Sequence, residues 1–361
     1  MKKQLKKILM ISSTSKLGGG TKNMFILGEN IKSDYKVFYA IPKSNDFSNY
    51  LNAENHFPIV ERKVNFFEIL KLRKFIQMNS IDIIHAHGKG AGLIARLSTI
   101  FQNKKIIYTF HGIHLKCHNM FSRILYIFYE FIMGRLDSHK VFVSKSERDY
   151  AKFSKIFIGR NNSIISNGME VKNIKKYHKK NKKIRNDIFS NLSIISVCRF
   201  VDQKNIKEFI HIAEKLKKYN FILIGNGPKW NDIKNYITNK SLKNIYLMGT
   251  KKNLFSFLRK SDIYLSTSLY EGLPISIIEA MSIGLPIIAS DVTGNCDAVI
   301  HGKSGYLYKL GEVDMAVNYL KKLLNSSELR MKLGKNSHNI QRTIFSLEKM
   351  INQYLDLYEK V

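Results

Sequence analysis

A chain of 361 residues, 44% hydrophobic and 11% aromatic, is too long for one core and too apolar to be disordered, so two domains are expected. Lys and Arg number 59 against 28 Asp and Glu, and the formal net charge of +31 points to an anionic partner. The lysines are scattered over presumed helix faces with no arginine-rich or aromatic-interleaved module, which favours a membrane surface with anionic lipids and disfavours nucleic acid.

Cys117, Cys198 and Cys296 are far apart, odd in number and without metal-ligand spacing, as in a protein of the reducing cytosol. The opening MKKQLKKILMISS has too short an apolar core for a signal peptide and reads as a first strand. No run approaches the roughly 20 apolar residues of a spanning helix. The expectation is a cytoplasmic protein, peripheral at the inner face of the cell membrane.

The first strand opens onto Gly18, Gly19 and Gly20 and then a helical pattern. Bare backbone between a strand end and a helix start is where phosphate or sugar oxygens are held, although a glycine triplet alone fits a flexible turn as well. YKVFYAIP reads as a strand, NFFEILKLRKFIQMN as a helix, IDIIHAH as a strand, then a helix from Lys89 and the strand KKIIYTFHGIH. This alternation predicts βαβ units and a parallel sheet.

His85 and His87 close one of these strands, and His111 and His114 follow another. Strand ends of parallel sheets carry ligand chemistry, but these histidines lack a recognisable zinc spacing. His111, in T-F-H-G, is the expected polar contact at the reacting group. His85 and His87 either shape an acceptor pocket or satisfy backbone groups.

NMFSRILYIFYEFIMGRL, from Asn119 to Leu136, is expected chiefly as a helix buried between the sheet and a neighbour. Its alternative role is an outer face, with Lys116, Arg123 and Arg135, that touches lipid or a lipid-linked acceptor. The helix around Phe66–Phe75, with Lys71, Arg73 and Lys74 opposite its aromatics, offers the same choice. SHKVFVSKSERDYAKF gives a strand and a Ser-started helix, and SIISNGMEV a strand and an Asn167-Gly168 turn.

A basic, aperiodic linker follows, expected at 173–190 between a domain of residues 1–172 and one of residues 191–342. In the second domain LSIISVCRF ends in Arg199, with Lys204 starting a helix: R-x4-K. Two cations aimed at one spot above a sheet suit a diphosphate, the alternative being two solvated loop charges. FILIG leads into Gly225-Asn226-Gly227-Pro228, where backbone can approach a nucleotide, and Gly249-Thr250 marks an edge suited to a base.

An apolar strand then ends in Ser266-Thr267-Ser268, and a turn carries Glu271, Gly272, Leu273 and Pro274 ahead of a helix holding Ser276 and Glu279. The two carboxylates are spaced E-x7-E, and the free amides of the helix start offer a seat for anionic or polar oxygens. The plainer reading is a solvated helix glutamate and a loop charge. PIIASDV and GYLY are expected strands, and the tail from about Leu310 is expected to be helical.

The pattern T-S-x-x-E-G-L-P-x-x-x-x-E-A-M-x-x-G-x-P-I-I-A-S, with R-x4-K, resembles the donor site of retaining glycosyltransferases of family 4, and the resemblance runs through the whole chain. It implies the α/β GT-B fold, two Rossmann-like doubly wound domains facing across a cleft, with a helix of residues 343–361 returning to the first domain. Arg199 and Lys204 would hold the diphosphate of a nucleotide sugar, and Glu271 and Glu279 the donor sugar and ribose. Amides near Gly272 and Leu273 would bind sugar or phosphate, and His111 would sit near the transferred sugar. H-A-H-G-x-x-A-G-x-x-A-R-L and T-F-H-G are similar to enzymes of bacterial capsule, exopolysaccharide or lipopolysaccharide synthesis.

The implied reaction is retaining transfer, from a UDP-sugar in most members, to a lipid-linked saccharide, with Arg199, Lys204, Glu271 and His111 catalytic. Both glutamates lie on the donor side, so Glu271 is not expected to be a covalent nucleophile. No D-x-D occurs, and neither metal nor other cofactor is expected. A sugar-nucleotide epimerase or phosphorylase on the same fold, and a non-catalytic basic protein binding membrane or nucleic acid, are the alternatives.

Overall fold

The computed structural model describes residues 5–14, 18–43, 51, 54–113, 115, 119–170, 186–189 and 191–361. His114, Lys116, Cys117 and most of the expected linker lie outside the described residues. The chain divides into two compact units, Met1–Gly168 with Glu348–Val361, and Met169–Leu347.

The first unit runs β1 (Lys7–Ile11), α1 (Gly19–Asn30), β2 (Lys36–Ile41), β3 (His56–Pro58), α2 (Phe66–Met78), β4 (Ile83–His87), α3 (Lys89–Thr99), β5 (Lys105–Thr109), α4 (Met120–Met133), β6 (His139–Phe142), α5 (Lys145–Phe153) and β7 (Asn162–Ile164). Its strands pair in parallel in the order β3-β2-β1-β4-β5-β6-β7. Runs such as KILMI are apolar at nearly every position because helices cover both faces of such a sheet. The chain walks outward from β1 to β3 and then returns to lay β4 on the other side of β1. The ends of β1 and β4 therefore form a switch point, where open parallel sheets bind ligands.

Two local expectations for this unit change. The segment Asn119–Leu136 forms α4, capped by Asn119 Oδ1 on the Ser122 amide at 2.9 Å, but it is not buried. Only Tyr126 and Glu130 are fully covered, while Phe121 is 76% exposed and Met120, Ile124, Leu125, Phe128, Phe131 and Ile132 are exposed with it. The helix is apolar nearly all round, so its composition does not tell which side is covered. Asn167-Gly168 forms no turn; extended chain continues to a bridge between Met169 and Ser346.

The second unit runs β8 (Ser193–Val197), α6 (Ile206–Lys215), β9 (Asn220–Ile224), α7 (Trp230–Asn239), β10 (Ile245–Leu247), α8 (Leu254–Lys260), β11 (Ile263–Ser266), α9 (Ile275–Ile283), β12 (Ile287–Ser290), α10 (Asn295–Ala298), β13 (Gly305–Tyr308), α11 (Val313–Asn325) and α12 (Ser327–Ile344). The sheet is again parallel, in the order β10-β9-β8-β11-β12-β13, with its switch point between β8 and β11. α9 starts after Pro274, whose missing N–H removes no helix bond, and stops at Gly284 with φ +83°. From Ile277 to Ile283 every residue of α9 is buried.

The tail is helical as expected, and it consists of three helices. Ser326 caps α12, Phe345-Ser346 interrupts the chain, and α13 (Leu347–Lys360) begins at Leu347 rather than near Thr343, which lies within α12. Tyr354 and Tyr358 of α13 are buried in the first unit, the latter edge-on to Tyr35 at 5.5 Å.

Candidate active site

In the second unit the switch point gathers the loop after β8 and the loop after β11. Lys204 Nζ donates to Glu271 Oε1, which also accepts from Ser268 Oγ at 2.6 Å. Gln203 Nε2 donates to Glu271 Oε2 at 3.2 Å and to the Tyr270 carbonyl at 2.8 Å. Thr267 Oγ1 reaches the carbonyls of Lys204 and Asn205 at 3.0 and 3.1 Å, locking the two loops together. Glu271 is only 7% exposed and Glu279 only 4%, so neither is the solvated charge of the plainer reading.

Arg199 is exposed at the end of β8; the structure brings Lys204, not Arg199, to Glu271. Cys198 lies beside them, and burial pushes its thiol up to about 11 against the pull of Lys204, so it stays a neutral packing group. Ser276 is half-buried in the first turn of α9 near Tyr264, whose hydroxyl donates to the Val197 carbonyl at 3.2 Å.

Backbone approaches closely around these loops. Gly225, at φ +134°, donates its N–H to the Gly249 carbonyl at 3.0 Å, and a Cβ there would fall 1.9 Å from the Cys198 carbonyl oxygen. Gly227 packs on the backbone of Phe200, while Thr250 is exposed. Gly294, at φ +83°, lies against the Gly272 carbonyl, where a side chain would come within 2.5 Å. Leu273 is buried beside this turn. Gln203, Ser268, Tyr264 and Gly294 were not among the expected site residues. Gln203 and Ser268 fall inside the R-x4-K and T-S-x-x-E segments, so spacing held a signal for them; Tyr264 and Gly294 are brought in by the fold.

In the first unit the ends of β4 and β5 bring the three histidines together. His85 lies between hydroxyls, its Nδ1 2.7 Å from Tyr358 and its Nε2 2.8 Å from Thr109. Its bonds go to side chains, not to the backbone groups one expectation gave it. The His87 ring lies tilted against that of His85 with ring centres 4.0 Å apart, and His87 Nδ1 meets His111 Nε2 at 2.9 Å. Burial lowers the pKa of all three, to about 4 for His111 and well below the ordinary value for His85 and His87, so the cluster is neutral at neutral pH.

His111 has φ +58°, and the following Gly112 donates its N–H to Glu147, a buried side chain not expected here, which also accepts from Val143 N at 2.9 Å. Gly20, in the first turn of α1, lies against the His111 ring. Gly19 begins that helix, and Gly18 stands before it in open space. Among the described residues no group of three or more His, Cys, Asp or Glu is placed to hold a metal ion. No helix there is long and apolar enough to cross a membrane.

The family described as Glycosyltransferase Family 4 matches residues 33–172, and Glycosyl transferases group 1 matches residues 173–340. A UDP-Gal:alpha-D-GlcNAc-diphosphoundecaprenol alpha-1,3-galactosyltransferase of Escherichia coli is 25% identical over 80% of this chain and 78% of its own. The capsular polysaccharide biosynthesis glycosyltransferase CapM of Staphylococcus aureus is 26% identical over 90% and 91%. The crystal structure of Anabaena HepE in complex with UDP and glucose superposes with a TM-score of 0.82 at 16% identity, covering 99% of this chain and 100% of that one. The overall fold is that of GT-B glycosyltransferases, built from two Rossmann-like domains.

Proposed function

We propose that this chain, which belongs to glycosyltransferase family 4, transfers a sugar from a UDP-sugar, with retention, to a lipid-linked saccharide in the synthesis of a bacterial surface polysaccharide. The observation that carries this is the cluster of Lys204, Glu271, Gln203 and Ser268 at the β8/β11 switch point, where α9 begins. A cation, buried acceptors and a helix start together suit a nucleotide diphosphate and the hydroxyls of its sugar. UDP is favoured because HepE is described with UDP and the E. coli relative with UDP-Gal. The lipid-linked acceptor follows the diphosphoundecaprenol in the name of that relative.

In the proposed reaction the acceptor hydroxyl oxygen bonds to the anomeric carbon on the face from which the diphosphate leaves. The bond from that carbon to the β-phosphate oxygen breaks, its electron pair stays on UDP, and the acceptor proton passes to the same oxygen. Lys204 and Arg199 stabilise the charge that grows on the leaving diphosphate. Glu271 holds a donor-sugar hydroxyl, Glu279 the ribose, and His111 contacts the transferred sugar. No metal is needed in this scheme, so activity persists in EDTA; complete loss that Mg²⁺ or Mn²⁺ restores would overturn that part.

The exposed face of α4 supports a further element of the reading, contact with an anionic membrane. Phe121, Ile124, Leu125 and Phe128 stand in solvent on a helix that carries Arg123 and is followed by Arg135, and Phe66 and Phe67 of α2 are exposed as well. An apolar face with a basic border matches the lipid interface.

Thermal unfolding with UDP, GDP, ADP and no ligand, beside Arg199→Ala, tests the donor assignment. Ligand at about 100 times its Kd stabilises by roughly 2.7 kcal/mol, a shift of several degrees. A shift with UDP alone, diminished in the variant, is expected. No shift with any nucleotide from folded protein would overturn the reading.

A further inference from the structure

We infer that His87 is a positioning residue that sets the tautomer of His111, placing the His111 proton on Nδ1 and making that atom a hydrogen-bond donor. The inference starts from a contact between two neutral rings. His87 Nδ1 and His111 Nε2 are 2.9 Å apart, and the rings are near parallel, with an interplanar angle of 20°. A hydrogen bond between neutral imidazoles holds one proton, so one ring donates and the other accepts.

The choice between the two arrangements falls on the far nitrogen of His87. His87 Nε2 is buried and has no hydrogen-bond partner among the described residues. If His111 donated from Nε2, His87 would accept at Nδ1 and carry its own proton on Nε2, leaving an N–H buried without an acceptor. Orphaned buried N–H groups are rarer in native proteins than under-satisfied acceptors. If His87 donates from Nδ1, its Nε2 is a bare lone pair and no donor is stranded. His111 then accepts at Nε2, and its only proton sits on Nδ1.

The surroundings hold this geometry. His85 covers the His87 ring at 4.0 Å and is itself fixed at both nitrogens, by Tyr358 of α13 and Thr109 of β5. On the other side, a Cβ on Gly20 would come 3.0 Å from His111 Cγ, so glycine at the start of α1 leaves the ring its position. A structural unit of two strands, the first helix and the last helix thus converges on one imidazole. The consequence for catalysis, that Nδ1 of His111 donates to a hydroxyl of the transferred sugar, rests on the glycosyl-transfer reading; the tautomer itself does not.

The test combines a direct readout with a rescue. Long-range ¹H–¹⁵N spectra of the full chain labelled with ¹⁵N-histidine, with His111 identified by its loss in His111→Gln, report which nitrogen is protonated. Nδ1 protonated and Nε2 bare is the expected result; a proton on His111 Nε2 overturns the inference. Asn at position 87 can place an amide N–H where Nδ1 donates, and Leu cannot. His87→Asn should keep the His111 tautomer and kcat within about threefold, whereas His87→Leu should lower kcat about tenfold or more. In both variants the UDP-induced thermal shift should persist, which shows that each is folded and binds donor. Equal loss in Asn and Leu, or no loss in Leu, overturns the positioning role. The expected spectra without turnover of any UDP-sugar would instead sink the transfer reading and leave the tautomer standing.

Discussion

Glu271 is nearly buried, and a carboxylate taken out of water persists as a charge only where donors answer it. Lys204, Ser268 and Gln203 supply them. Removing the cation leaves two neutral donors on a buried anion, so Lys204→Ala should destabilise the nucleotide-free protein by about 1–3 kcal/mol in denaturant unfolding. The same variant should lose roughly 10²–10³ in kcat, because in the proposed reaction the ammonium stabilises the charge that grows on the leaving diphosphate. Unchanged turnover would remove Lys204 from the chemistry. At the histidine cluster the corresponding prediction concerns pH. His111 titrates at about 4 in the folded chain because burial disfavours its cation, and the ordinary value is 6.5. Between those values the unfolded chain binds a proton that the folded one does not, so stability rises with pH across that window. It is complete above pH 6.5 and lost as pH falls toward 4, by roughly 3 kcal/mol for this one residue, with His85 and His87 acting in the same direction. His111→Gln should flatten the acid limb of a stability–pH curve; an unaltered limb would mean that other groups set it.

At the scale of elements, α4 divides sharply into an outer and an inner side. On the inner side Arg96 of α3 is fully buried, with its guanidinium bonded to Glu130 at 2.9 and 3.0 Å, to Asp137 at 2.6 and 2.9 Å and to the Tyr129 hydroxyl at 2.9 Å. Glu130→Ala should therefore cost about 3–5 kcal/mol by thermal unfolding, since it leaves part of a buried charge unanswered. Phe128→Ser, two residues away and facing solvent, should stay within about 0.5 kcal/mol. Equal effects from the two would contradict this division. The same helix shows why legibility in the sequence was uneven. Strands and most helices were readable because periodicity and caps are local: Ser144 does cap α5 on Glu147 N at 3.2 Å, and GYLY is indeed β13. R-x4-K and E-x7-E brought Lys204 and Glu271 to notice, and the fold then joined them. Burial of α4 depends on what lies across from it, which no local pattern encodes, and the break at Phe345-Ser346 interrupts a stretch that is helical on both sides. The His87–His111 bond joins two strands whose residues are 24 apart in sequence, so only the sheet order could reveal it.

For the whole molecule, the net charge of +31 makes attraction to any polyanion expected, and attraction alone cannot identify the partner. Salt separates the possibilities. Binding to nucleic acid through released counterions weakens steeply with ionic strength, by about 10³–10⁵ between 50 and 200 mM salt for 6–10 phosphate contacts. Binding to a lipid surface begins with the same attraction, screened over a Debye length of about 8 Å at physiological salt, but apolar side chains that enter the interface add a contribution that salt does not screen. On the proposed membrane contact, the exposed phenylalanines and isoleucines of α4 would supply that second contribution. Co-sedimentation with vesicles of phosphatidylglycerol and phosphatidylcholine should therefore retain a salt-resistant fraction at 200 mM, while retention on duplex DNA collapses. Replacing Phe121, Ile124 and Phe128 together by Ser should abolish the resistant fraction and leave the salt-sensitive one. If vesicle binding of the unaltered chain vanishes in parallel with DNA binding, charge alone accounts for both, and α4 must be assigned to something other than lipid.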